Sequence, residues 1–197
     1  MKLENGKEIA NLTSTAKKSN VPESVGFLFT DKTLISTSLV GSIIFWCMKK
    51  DIHRVTLYDP WNLLINYEYE LILESQKILS NYNSKNGIKK DEYIKLFILG
   101  PLSTYDVVSK VMKEFCFDNK TIHIKNINEK FMKEFIYEID LLIRIGDIPS
   151  LCGYPCWGLR ITEIVDIQKI GNKNEISEKE FNKIIISFST RDRRKGK

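Results

Sequence analysis

Short apolar runs and longer amphipathic stretches alternate along the 197-residue chain. Val25-Gly26-Phe27-Leu28-Phe29 is a compact apolar run bounded by Thr30 and Asp31, which predicts a buried strand. Over residues 34–50, Leu39, Ile43, Trp46 and Cys47 recur at spacings of three and four. A helix is predicted there, with Lys49 and Lys50 placed favourably for its dipole. Residues 53–58 are rich in β-branched and aromatic side chains and end at Asp59-Pro60, the pattern of a second strand. An amphipathic helix over 61–81 carries Leu64, Tyr67, Leu71 and Ile78 along one side, and a polar loop over 80–91 follows. A third strand, 94–99, stops at Gly100-Pro101. Ser103 or Thr104 is a candidate cap for the next helix, which holds Val107, Val108, Val111, Met112 and Phe115. A short strand at 121–124 and a helix at 129–138 complete this part.

Residues 139–167 concentrate the unusual features. An apolar run, Ile139 to Ile143, reads as a strand buried on both faces, with Arg144 and Gly146 at its exit. A turn-rich loop follows, placing Gly153, Pro155 and Gly158 around Trp157. Extended chain then resumes over 159–165, with Arg160 and Glu163 inside it. Ser177 and Glu180 fit a capping box, and Phe181, Ile184, Ile185 and Phe188 stand at helical spacing behind them. Strand and helix alternate almost throughout, which implies an α/β fold. Its centre is a mostly parallel sheet of about six strands with helices on both faces. One domain over 21–190 is expected, preceded by a polar, aperiodic and flexible arm at 1–20 and followed by a tail at 191–197.

Composition narrows the function without naming it. A formal charge of +5 is modest and by itself is poor support for nucleic-acid binding. Cys47, Cys116, Cys152 and Cys156, with only His53 and His123, lack the two tight ligand pairs of structural zinc; reduced thiols fit better. No apolar run reaches the roughly 18 residues of a membrane helix, and the first residues lack the apolar centre of a signal peptide. The chain reads as soluble unless something else holds it to a membrane.

Ordinary catalytic patterns are missing. The residues after the first strand, Thr30-Asp31-Lys32-Thr33, lack the glycines that bring backbone amides to a phosphate. Asp59, Asp106, Asp140, Asp147 and Glu163 fall near strand ends, where carboxylates usually cap helices or turns. Arg144 reads either as a diphosphate ligand or as half of a structural salt bridge. The basic end, RDRRKGK, suits an anionic ligand or a solvated terminus.

The segments PESVGFLFTDK, FWCMKKDIHRVTLYD and LFILGP, and above all DLLIRIG, LCGYPCWGLRITEIV, ISEKEF and RRKGK, resemble the cis-prenyltransferase superfamily. Within it they are most similar to the Nogo-B receptor-type accessory subunit of eukaryotic dehydrodolichyl diphosphate synthase. The resemblance runs in order from about Pro22 to Lys197 and is specific only as a set. Catalytic members carry Asp-Gly-Asn-x-Arg after the first strand, where this chain has Thr30 and Asp31. Only Arg144 matches their arginine cluster, and Glu163 matches a carboxylate that helps hold magnesium.

The resemblance therefore implies a degenerate protomer with no complete catalytic set and no metal site of its own. Arg144 and Glu163 would be site remnants, and the Trp157 loop with Arg160 would shape a dimer face. Arg194, Lys195 and Gly196 would reach the diphosphate of isopentenyl diphosphate in a catalytic partner that holds Mg2+. The complex would make polyprenyl diphosphate from farnesyl and isopentenyl diphosphates, for dolichol and protein glycosylation. It would work peripherally at the cytosolic face of the endoplasmic reticulum, without nucleic acid. A self-sufficient homodimeric prenyltransferase and a non-enzymatic lipid- or protein-binding module are the alternatives.

Overall fold

In the computed structural model the pattern becomes a five-stranded, wholly parallel sheet of order β3-β2-β1-β4-β5. The structure describes residues 21–86, 94–117, 123–134, 136–168, 170 and 175–191. Strand β1 (Ser24–Phe29) is central and buried along its whole length. Strands β2 (Arg54–Tyr58) and β3 (Lys95–Leu99) lie on one side of it, β4 (Leu141–Ile145) and β5 (Glu163–Ile167) on the other. Side chains alternate between the two faces. One face sends Val25, Phe27, Phe29, Val55, Leu57, Leu141, Ile143 and Ile145 into the main core. The other sends Leu28, Tyr58, Leu99 and Leu142 into a smaller cluster with Tyr154.

Helix α1 (Thr37–Lys49) covers the first face with Leu39, Val40, Ile43, Ile44 and Cys47. It starts where the Ser36 hydroxyl accepts the Leu39 N–H at 3.2 Å. A short α2 (Leu63–Asn66) leads into α3 (Glu68–Asn86), and α3 packs on α1. Helix α6 (Glu178–Thr190) closes the same face with Phe181, Ile184, Ile185 and Phe188. The capping box of Ser177 and Glu180 forms as the sequence predicts. Trp46 donates from Nε1 to the Ile176 carbonyl at 2.6 Å, tying α1 to the segment that enters α6. On the second face, α4 (Pro101–Phe117) and α5 (Ile124–Lys133) share a small core of Val111, Phe115, Phe131 and Ile136.

Several boundaries differ from the sequence expectation. Among the described residues the sheet has five strands rather than six: Ile124 opens α5, while Thr121 and Ile122 lie outside the described residues. The helix expected at 129–138 is α5, which starts earlier and ends at Lys133. The last strand begins at Glu163, not near Leu159. Residues Cys156–Leu159 instead form a 3-10 turn, so Arg160 precedes the strand. The glycine and proline that frame this segment favour a turn over a β run despite its apolar content. The long helix expected at 61–81 breaks at Tyr67, and its second part continues to Asn86. Helix α4 begins directly at Pro101, whose ring suits a first helical position, so neither Ser103 nor Thr104 is the cap.

Candidate functional site

The strand order reverses at β1, so the crevice where an open α/β sheet usually binds a ligand lies between the exits of β1 and β4. Here the two exits touch. Thr30 donates both its N–H (2.8 Å) and its hydroxyl (3.2 Å) to the Ile145 carbonyl. Gly146 has φ +122°, and a Cβ on it would stand 2.5 Å from Thr30 Oγ1. Only glycine fits that approach. Beyond it Asp31 accepts from the Thr33 N–H and hydroxyl, both at 2.8 Å, capping a three-residue 3-10 turn, Lys32–Leu34. No run of free helix N–H groups faces the crevice from this turn, which is what a phosphate would need. Asp59, at the exit of β2, is buried and accepts from the Trp61 and Leu64 N–H groups at 2.8 Å. Its carboxylate is a cap for the turn into α2.

Leu99, Tyr58, Leu28, Arg144 and Asp166 are successive register partners across all five strands, so they form one row on one face. The loop from Gly146 to Pro155 folds back over this row. Tyr58 donates its phenol to the Cys152 carbonyl at 2.9 Å, and the Tyr58 and Tyr154 rings lie 5.2 Å apart. Burial pushes the Tyr58 phenol up to about 12 and raises Tyr154 as well. Both hydroxyls are neutral structural groups.

Arg144 ends the row's chemistry. Its Nε and Nη2 donate to the two carboxylate oxygens of Asp166 at 2.6 and 2.9 Å, a bidentate fork. The Arg144 side chain is 15% exposed, and its guanidinium is held above its ordinary range chiefly by that carboxylate. Of the two readings the sequence allows for Arg144, the salt bridge is the one present.

Glu163 does not join it. Glu163 is the register partner of Leu141, three positions from Asp166 and so on the opposite face. Its side chain is 6% exposed, with Oε1 2.9 Å from Arg191 Nη1, an ion pair without hydrogen-bond alignment. The two expected remnants thus lie on different faces of the sheet. No group of three His, Cys, Asp or Glu side chains gathers among the described residues, and Asp31, Asp166 and Glu163 each serve an internal partner. This donor set does not fit a magnesium shell. The four cysteines are free thiols.

Trp157 stacks on Phe131 at 5.2 Å and donates from Nε1 to Asn128 at 2.8 Å, so it is fixed against α5. Arg160 is exposed, its Nε 3.5 Å from Glu138. Beside them the edge strand β5 and its approach leave Ile161 and Ile164 exposed. A groove of about 660 Å³ runs between α1 and α3, rimmed by Glu70, Glu74 and Lys77, on the face opposite to Arg144. Arg194, Lys195 and Gly196 lie outside the described residues. Asp166 and Arg191, the partners that define this region, are not singled out by the sequence. Their signal is a strand register, which appears only once the sheet is formed. No helix is long and apolar enough to cross a membrane among the described residues.

No protein-family model matches the chain. It is 20% identical over 184 residues to the dehydrodolichyl diphosphate synthase complex subunit NUS1 of Homo sapiens, a match covering 82% of this chain and 62% of that protein. The Mus musculus subunit is 22% identical over 200 residues, covering 90% and 66%. The chain thus spans less than two thirds of the length of these relatives. Among solved structures, a probable undecaprenyl diphosphate synthase from Campylobacter jejuni superposes with a TM-score of 0.63 at 15% identity, covering 88% of this chain and 98% of that one. Lavandulyl diphosphate synthase from Lavandula x intermedia, solved with dimethylallyl diphosphate, gives 0.55 at 14% identity, with the same coverage. The chain thus has the fold of these diphosphate synthases and, along most of its length, a sequence similar to the NUS1 subunits.

Proposed function

We propose that this chain is the accessory, catalytically degenerate subunit of a heteromeric cis-prenyltransferase. The observation that carries the reading is the Arg144–Asp166 fork. Arg144 is the one arginine that matches the diphosphate cluster of catalytic relatives, and its Nε and Nη2 are committed to a carboxylate of the same chain. A diphosphate would have to displace Asp166 and meet it as a like charge, which costs rather than gains.

In this reading the partner holds Mg2+ and extends farnesyl diphosphate with isopentenyl diphosphate, and this chain supplies a face and a tail. The face is the β5 edge with Ile161, Ile164 and the Trp157 turn. The tail follows Arg191, whose pair with Glu163 fixes its root beside that same edge strand. Arg194 follows by three residues, so chain length alone keeps its Cα within about 11 Å of that of Arg191. A guanidinium there, with Lys195 beside it, suits a diphosphate, and Gly196 lets a backbone N–H approach it closely. The complex would serve dolichol synthesis at the cytosolic face of the endoplasmic reticulum, held to the membrane peripherally. Reconstitution tests this: co-expression with a catalytic subunit is expected to give polyprenyl diphosphate synthesis, while a complex that forms without prenyl transfer would overturn it.

A further inference from the structure

Helix α4 carries apolar residues on both sides. One side is accounted for: Thr104, Val111 and Phe115 are buried, the last two against Phe131 and Ile136. Lys110 pairs with Glu134, and Lys130 with Glu114 at 2.7 Å, pinning α5 along one flank. At 100° per residue, Leu102, Tyr105, Ser109, Met112 and Cys116, spaced three, four, three and four apart, form a stripe centred about 135° from the buried row. Leu102 is 67% exposed, Tyr105 68% and Met112 40%, and Ser109 and Cys116 are exposed as well. The spacing is that of a coiled-coil seam, with knobs at every third and fourth position.

We propose that this stripe is a homotypic contact, in which α4 packs antiparallel against α4 of a second copy of the chain. The pattern is self-complementary. An antiparallel two-fold sets Ser109 against Met112 of the other copy and Tyr105 against its Cys116, small against large in each layer. The same register brings Asp106 beside Lys113 of the second copy, and the symmetry makes that pair twice. Asp106 and Lys113 are both exposed beside the stripe, and neither forms a salt bridge among the described residues. A stripe built for an unrelated helix or a lipid surface has no need of opposite charges at symmetry-related positions. The contact points away from Trp157, which packs on the far side of this helix pair. It can therefore coexist with a partner on the β5 edge.

Sedimentation of the full chain from about 1 to about 200 µM tests this, a range that brackets a small helix–helix contact. A reversible monomer–dimer equilibrium is expected. Asp106→Lys and Lys113→Asp should each weaken it by about tenfold or more, since like charges then face each other twice. The double variant Asp106→Lys with Lys113→Asp should restore dimerisation. A chain that stays monomeric throughout would overturn the proposal. So would a dimer indifferent to both single reversals but lost on Ile164→Asp, because that dimer would use the β5 edge.

Discussion

Arg144 and Asp166 stand directly opposite each other on β4 and β5, joined by two hydrogen bonds of 2.6 and 2.9 Å. On its face of the sheet the pair is the last before the exits of β4 and β5, one position short of Ile145 and Ile167. Asp166→Ala leaves a largely buried guanidinium without its acceptor. The expected cost is about 1–2 kcal/mol, discounted because Asp166 itself is 45% exposed. Urea unfolding of the single chain measures it. Arg144→Ala should lower stability similarly yet change the turnover of a reconstituted complex by less than about threefold, since the proposed reading gives Arg144 no substrate contact.

Gly146→Ala is expected to be more damaging. Its φ of +122° lies where L side chains are strained, and the new Cβ would press on Thr30 Oγ1 at 2.5 Å and on the Asp31 backbone. A loss of about 2–4 kcal/mol follows from strain and displacement together, read as a lower urea midpoint with an unchanged slope.

Stability should fall in alkali. Cys47 and Tyr58 would ionise near 9.0 and 10.0 when unfolded, and burial raises both in the native fold, Tyr58 to about 12. The native state then holds protons that the unfolded chain releases. Their contribution is complete below about pH 9 and is lost as pH rises through the native values. Urea midpoints at pH 8 and pH 11 check the sign, and Tyr58→Phe should flatten the decline above pH 10.

The tail's root and its tip should separate experimentally. Arg191→Ala removes the partner of the buried Glu163 carboxylate and is expected to cost about 1–3 kcal/mol. Gly196→Ala, or removal of residues 194–197, should leave the stability of this chain and its assembly with the partner unchanged. Turnover of the complex should nonetheless fall by about a hundredfold or more, the scale of losing a donor to a developing anion. Co-purification and a product assay on the same sample read both quantities.

Much of the fold was legible because its elements are local. β1 is a run of six buried residues, and α6 announces itself through Ser177, Glu180 and a strict apolar stripe. The helix–strand alternation was enough for a parallel sheet with helices on both faces. Residues 159–162 read as extended because Leu159 and Ile161 favour strands, whereas the turn framed by Pro155 and Gly158 runs through Leu159 and the strand starts only at Glu163. The site was harder. The resemblance makes Arg144 and Glu163 remnants of one site, and only the register of β4 with β5 sets them on opposite faces. Asp166 and Arg191 carried no motif at all, since what makes them matter is the partner each meets across the sheet edge.

In the proposed function this chain does no prenyl transfer alone and enables it in a partner. The most direct measurement is incorporation of radiolabelled isopentenyl diphosphate onto farnesyl diphosphate with Mg2+, run with the purified chain, a catalytic subunit, and both together. No product is expected from this chain alone, and a large gain is expected when it joins the partner. Robust polyprenyl diphosphate synthesis by the single chain would contradict it.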